Sequence, residues 1–187
     1  MAADPTVNAF FSLHVPGDLV EALVGLQQEQ RERVDPQQRE HIHITLGFLH
    51  NADAARLADA AALLSGGDWP APVIRPTGEV RHGSWRLQKD PSYHYDGDLV
   101  QAQEQVRLGV EHTDELAAIY SGLIDRLGIA EDGFWPHVTL GLARHDFPLA
   151  AVTNMPLPTR GSTAPSVDLQ QELTATDFRI LVRKELG

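Results

Sequence analysis

The hexapeptide His43-Ile44-Thr45-Leu46-Gly47-Phe48 returns later in the chain as His137-Val138-Thr139-Leu140-Gly141-Leu142. Four of the six positions are identical, and the other two stay apolar. Two copies of a short segment imply two copies of a structural unit, each bringing one histidine to a shared place. Two histidines on one substrate are the usual apparatus for acid–base chemistry near neutral pH.

Read as strands, both copies alternate. His43, Thr45 and Gly47 share one face, and Ile44, Leu46 and Phe48 share the other. In the second copy His137, Thr139 and Gly141 oppose Val138, Leu140 and Leu142. The apolar set belongs in a core. The polar set lines a cleft, which the glycines are expected to keep open. An imidazole beside a hydroxyl combines a proton-transfer group with a hydrogen-bond donor. Two such pairs suit an anionic oxygen compound held from both sides, one histidine acting as base and the other as acid, with the threonines donating to oxygens that gain charge.

Outside the motifs, Val7 to Val15 reads as a strand in which Val7, Ala9, Phe11 and Leu13 alternate with Asn8, Phe10, Ser12 and His14. Pro16-Gly17 ends it. Asp18, with Glu21 three positions on, opens a helix to about Arg33 with Leu19, Val20, Leu23, Val24 and Leu26 on its apolar face. After a break at Asp35-Pro36, a strand runs from His41 to Leu49, then an Ala-rich helix from about Ala54 to Leu64. Val73 to Arg81 and Trp85 to Gln88 suggest a hairpin around His82-Gly83-Ser84. Lys89 to Gln103 reads as a long loop or irregular strand. Gln105 to Glu111 is a strand. Thr113 caps a helix with Leu116, Ile119, Tyr120, Leu123 and Leu127 on its buried stripe, and Gly128 ends it. Trp135 to Arg144 carries the second motif. A Pro-rich loop precedes two closing strands, about Val167 to Leu173 and Phe178 to Arg183. Mixed strands and helices with hairpins give an α+β class.

Composition narrows the function. The chain has no cysteine, which removes disulfides, thiolate nucleophiles and Cys-type metal sites together. No apolar run approaches membrane-spanning length, the N-terminus lacks a signal-type core, and a cytoplasmic protein is the expectation. A net charge of −11 argues against a broad basic face for duplex nucleic acid. A small nucleotide or an RNA end in a local basic cleft is still compatible, with Arg39, Arg81, Arg86, Lys89 and Arg144 as candidate cations.

These features together resemble the two-histidine (2H) phosphoesterase superfamily, specifically its 2′–5′ RNA ligase-like, cyclic phosphodiesterase branch. The matching segments are Val7 to Leu13 followed by a helix, His41 to Leu49, and Phe134-Trp135-Pro136-His137-Val138-Thr139-Leu140. The resemblance implies a single bilobal domain over residues 1–187, two antiparallel-sheet lobes with helices outside and a central groove. It implies cofactor-free, metal-independent cleavage of a 2′,3′-cyclic phosphate, a 2′–5′ linkage or a cyclic oligonucleotide. On it His43 and His137 are the catalytic pair, and Thr45 and Thr139 bind phosphate. Candidate substrate-binding residues are Phe11, Arg39, His41, Trp135, Tyr93 and Tyr95. The expected partner is a nucleotide or RNA-end substrate, the protein being monomeric. Two other readings stand beside it: a nucleotide-binding module without turnover, and a cupin-like metalloprotein built on His41-x-His43.

Overall fold

In the computed structural model the described residues are 6–84, 94–95, 98–99, 104–129, 133–144, 160–174 and 177–187. Strand β1 (Val7–His14) leads into helix α1 (Gly17–Glu29), a short strand β2 (Val34–Pro36), a 3₁₀ turn (Arg39–His41) and β3 (His43–Ala52). Helix α2 (Ala54–Gly66), β4 (Val73–Ile74) and β5 (Pro76–Ser84) follow. The second half runs through the two-residue strands β6 (His94–Tyr95) and β7 (Asp98–Leu99), β8 (Glu104–Val110), α3 (Asp114–Tyr120) with a π-type turn (Ser121–Asp125), and β9 (His137–Ala143). Strands β10 (Ser162–Thr163), β11 (Ser166–Thr174) and β12 (Asp177–Glu185) complete it.

One eight-stranded sheet has the order β12-β11-β1-β3-β9-β8-β5, with β2 added beside β9, and its pairs are antiparallel. The two lobes are halves of this sheet. Each has a β–helix–β core, β1-α1-β3 and β8-α3-β9, and the motif strands β3 and β9 meet in the middle. They pair where Ile44 stands opposite Val138. Beyond that position β9 changes partner to β2, with Pro36 opposite Gly141 and Val34 opposite Ala143. The halves therefore diverge from that junction.

Helices pack on one face of the sheet. Leu19 and Leu23 of α1, Leu64 of α2, and Leu116, Ile119 and Ile124 of α3 and its extension join Phe11, Leu13, Ile44, Leu108 and Val138 in one buried cluster. Burial of such side chains contributes roughly 1.5–3 kcal/mol each. Caps fix two helix starts: Asp53 Oδ1 accepts from Arg56 N at 2.8 Å, and Thr113 Oγ1 accepts from Leu116 N at 3.2 Å. Among the described residues, no helix is long and apolar enough to cross a membrane.

Several local expectations need correction. Helix α1 starts before Asp18, whose carboxylate accepts from Leu19 N at 2.9 Å and from the Ser162 hydroxyl. Glu21 pairs with Arg39, so no capping box forms. Asp35-Pro36 is part of β2 because it fills the edge that β3 leaves on β9. No turn occurs at His82 to Ser84, where β5 continues and pairs with β8, Ser84 opposite Glu104.

The largest correction concerns the motifs. In β3, Phe11 faces Gly47 and Ser12 faces Thr45, so Leu46 is an extra residue. In β9, Val106 faces Gly141 and Arg107 faces Thr139, so Leu140 is extra in the same way. Both motifs thus carry a bulge between Thr and Gly, which re-aims the residues after it. Gly47 turns into the core, where an added Cβ would lie 2.9 Å from Ile124 Cδ1. Gly141, at φ +154°, makes room for β2, since its Cβ would lie 2.1 Å from the Asp35 carbonyl oxygen. The glycines therefore permit close packing and do not hold a cleft open. Phe48 joins the His43 side of the sheet instead of the core.

Candidate active site

Ile44 and Val138 face each other and are both buried in the helix-side core. Their flanking residues therefore point to the other face. Counting one step along the antiparallel pair, His43 stands across from Thr139 and Thr45 across from His137. All four side chains are partly buried.

The rows extend outwards through the neighbouring strands. Beside His43 on β1 is His14. Beside Thr139 on β8 is Arg107, and beside that on β5 is Arg81. The second row runs from Asp168 on β11 through Ser12 on β1 to Thr45, then across to His137 and Gly109 on β8. A pseudo-twofold relation exchanges His43 with His137 and Thr45 with Thr139.

Each histidine is held by the residue two positions before it. His137 Nδ1–H donates to the Trp135 carbonyl at 2.8 Å, and a carbonyl can only accept, so Nε2 is left as the basic nitrogen. His43 likewise bonds the His41 backbone, while its Nε2 lies 3.1 Å from Thr45 Oγ1. Each ring is also stacked: His43 on Phe10, with centroids 5.3 Å apart, and His137 on Trp135 at 5.0 Å. Burial lowers both imidazoles to about 4. The backbone carbonyls oppose that shift. For His43, the charges of His41, His137 and His14 add to it; for His137, those of Arg107 and Arg81 do. Both rings are therefore neutral at pH 7 without a bound anion.

The surroundings differ between the halves. Around His43 they are aromatic: Phe10 also meets Phe48 at 5.5 Å and Phe178 at 5.1 Å, and His41 packs edge-on to Phe178 at 5.0 Å. Around His137 they are cationic. Arg81 lies over the Trp135 ring, 4.0 Å from its centroid, and donates from Nε to Glu79 at 2.6 Å. Gly109 leaves space for Trp135, since its Cβ would sit 2.9 Å from that ring.

Among the sequence candidates, His41 and Trp135 are brought to the histidines. Phe11 is not: it is fully buried in the helix-side core, because Phe10 is the β1 aromatic that shares a face with His43. Arg39 is held in an exposed pair with Glu21, and Arg144 in one with Asp35. Tyr93, Arg86, Lys89 and the side chain of Tyr95 lie outside the described residues. The sequence reading missed Phe10, Phe178, Ser12, His14 and Arg107 as neighbours of the motifs. For Phe10 the signal was present, as it alternates with the core residues of β1. For Phe178 and Arg107 only strand pairing reveals the proximity. Among the described residues, no three His, Asp or Glu side chains form a group suited to a metal ion.

Neither a protein-family profile nor a curated protein sequence matches the chain. Solved structures do. LigT of E. coli, determined with 3′-AMP, is 19% identical with a TM-score of 0.67, over 98% of this chain and 99% of that one. A structure described as a phosphoesterase is 19% identical with a TM-score of 0.69, covering 96% and 98%. TT0787 of Thermus thermophilus is 19% identical with a TM-score of 0.69, covering 96% and 97%. LigT has also been determined with phosphate, NADP+ and ATP. Matched along almost their whole length, with the duplicated His-x-Thr strands at the centre of the sheet, these residues adopt the 2H phosphoesterase fold.

Proposed function

We propose that this protein is a metal-independent phosphodiesterase acting on a nucleotide phosphodiester by two-histidine acid–base catalysis. The observation that carries the reading is the register of β3 against β9. Pairing Ile44 with Val138 places two His/Thr pairs on one face in opposed orientation, the arrangement that grips one phosphate from both sides. The fold shared with LigT, which was crystallised with 3′-AMP and phosphate, supports a nucleotide substrate.

On this reading, hydrolysis of a 2′,3′-cyclic phosphate proceeds in line. One neutral imidazole takes a proton from water as the water oxygen bonds to phosphorus. The other, protonated, gives its proton to the ribose oxygen as the P–O bond breaks. Thr45 and Thr139 donate to the non-bridging oxygens. Burial opposes protonation of either ring in the empty site, so the acid takes up its proton from solvent as the anionic substrate binds and its charge stabilises the imidazolium. Stacking on Phe10 and Trp135 and the hydrogen bonds the rings make to the backbone two residues before them hold both rings in place before substrate binds.

The test is a panel of 2′,3′-cyclic nucleotides, 2′–5′-linked dinucleotides and cyclic dinucleotides, assayed in EDTA. Turnover of at least one class with EDTA present is expected. Binding without turnover would turn the reading to a nucleotide-binding module. Activity lost in EDTA and restored by a divalent cation would turn it to the metalloprotein reading.

A further inference from the structure

The pseudo-twofold relation makes a like-for-like comparison of the two ends of the site. Reading outwards from Thr45, the row meets Ser12 and then Asp168. Reading outwards from Thr139, it meets Arg107 and then Arg81. The first end carries no net positive charge, because Asp168 is clamped by Arg183 through two bonds of 2.8 and 2.7 Å. Ser12 is fixed by Gln170 Nε2 at 2.7 Å. The second end carries two guanidinium groups at equivalent positions.

Arg107 is directed to the site and not to the core. Its neighbours Val106 and Leu108 are fully buried among the helices, so alternation sends Arg107 to the face of Thr139. Arg81, directly across from it, shares that face and is steadied on the Trp135 ring. Strands lie about 4.8 Å apart. Arg107 thus starts one strand spacing from Thr139, and Arg81 about 10 Å away. In a chain with net charge −11 the global field repels an anionic substrate, so a phosphate needs a local positive patch, and two like charges on adjacent strands, which repel each other, make one here. Glu79 offsets part of the Arg81 charge, but it does so in an exposed pair screened by solvent.

We propose that Arg107 and Arg81 form a second anion subsite beside Thr139, which takes a phosphate of the substrate other than the one between the histidines. This deepens the phosphodiesterase reading and rests on it. It gives the site a polarity: the aromatic end, where Phe48 and Phe178 lie around the buried Phe10, packs against the nucleoside, and the arginine end takes the additional phosphate. The substrate class is then an oligonucleotide or a nucleotide bearing a phosphate besides the scissile one. A nucleoside cyclic monophosphate alone leaves this end unused.

The experiment measures equilibrium binding of three ligands in a His43→Ala background, where turnover is slowed roughly 10²–10⁴-fold. They are a 2′–5′-linked diadenylate without terminal phosphate, the same with a 5′-phosphate, and the same with a 3′-phosphate. One phosphorylated form should bind more tightly than the bare dinucleotide, by roughly ten- to a hundredfold. Arg107→Gln with Arg81→Gln should bring that ratio close to one. Arg33→Gln, which removes the same charge from the turn after α1, should leave the ratio intact. Equal binding of all three ligands overturns this proposal while leaving the phosphodiesterase reading standing. So does a ratio that persists in the double arginine variant, or one that Arg33→Gln lowers as much. If none of the three binds and the wild type turns over no member of the panel, both readings fall.

Discussion

Ile44 and Val138 oppose each other where the two motif strands pair, and their burial aims His43, Thr45, His137 and Thr139 at a common patch. Two apolar side chains that touch no substrate thus set the geometry of the polar ones. Replacing Ile44 with Ala should cost about 2–5 kcal/mol, whereas Ile44→Val should cost about 0.5–1.5 kcal/mol. Activity under conditions where each variant is folded should fall for the first and stay near normal for the second. Denaturant unfolding combined with kcat/KM checks this. An Ile44→Ala variant as stable as the wild type contradicts the burial argument.

The proposed roles separate the histidines from the threonines. Either His→Ala variant removes a proton-transfer group, typically 10²–10⁴-fold in rate. Thr45→Val or Thr139→Val removes one donor to a charged oxygen, roughly ten- to a hundredfold. The double histidine variant should be little worse than the worse single one, because the pair acts as a unit. Single-turnover cleavage measures all of these. Silent threonine variants together with a near-normal His43→Ala rate would falsify the acid–base assignment.

Stability should respond to pH through the two imidazoles. Both are lowered from 6.5 to about 4 by burial. The unfolded chain therefore binds more protons across that window. The contribution is fully present above about pH 6.5 and is lost as pH falls towards 4. The wild type should lose up to about 1.4 kcal/mol per pH unit per histidine more than a His43→Gln, His137→Gln double variant. Chemical denaturation from about pH 7.5 to about 4.5 tests it, and parallel curves for the two proteins would contradict it.

Substrate binding should carry a proton with it. Both rings are neutral at pH 7 in the free protein, yet the proposed mechanism needs one protonated. Binding of a nucleotide phosphate at pH 7 should take up about one proton. Calorimetry in buffers of different ionisation enthalpy reads this directly, and zero uptake rules out an acid that is protonated on substrate binding.

The two motif glycines should differ sharply despite their matched positions. At Gly47 an added methyl meets the buried Ile124 side chain, at 2.9 Å from Cδ1 and 3.2 Å from Cγ2, and no backbone, so Gly47→Ala should cost about 1–2 kcal/mol. At Gly141 it meets the Asp35 carbonyl and a positive φ, so Gly141→Ala should cost about 3 kcal/mol or more. Thermal unfolding of the two variants compares them, and equal costs would mean the close approach of β2 is not what Gly141 serves.

The duplicated hexapeptide is enough to find the two motif strands, the alternation and turn signals around it give the α+β class, and its residue types suggest the chemistry proposed for the His-x-Thr pairs. Those properties are local: they follow from residue type, alternation and turn punctuation. Helices were legible for the same reason, with Asp53 and Thr113 capping where their side chains can reach backbone N–H groups. What alternation alone reads wrongly is everything beyond Leu46 and Leu140. A bulge depends on the partner strand, and it moved Phe48 to the histidine side and both glycines to packing positions. The neighbours of the histidines were likewise set only in three dimensions. Phe178, Arg107 and Arg81 lie far from the motifs in sequence, and pairing across β12, β8 and β5 fixes their distance. Phe10, not Phe11, faces His43 because the strand turns one aromatic towards the helices and the other towards the site.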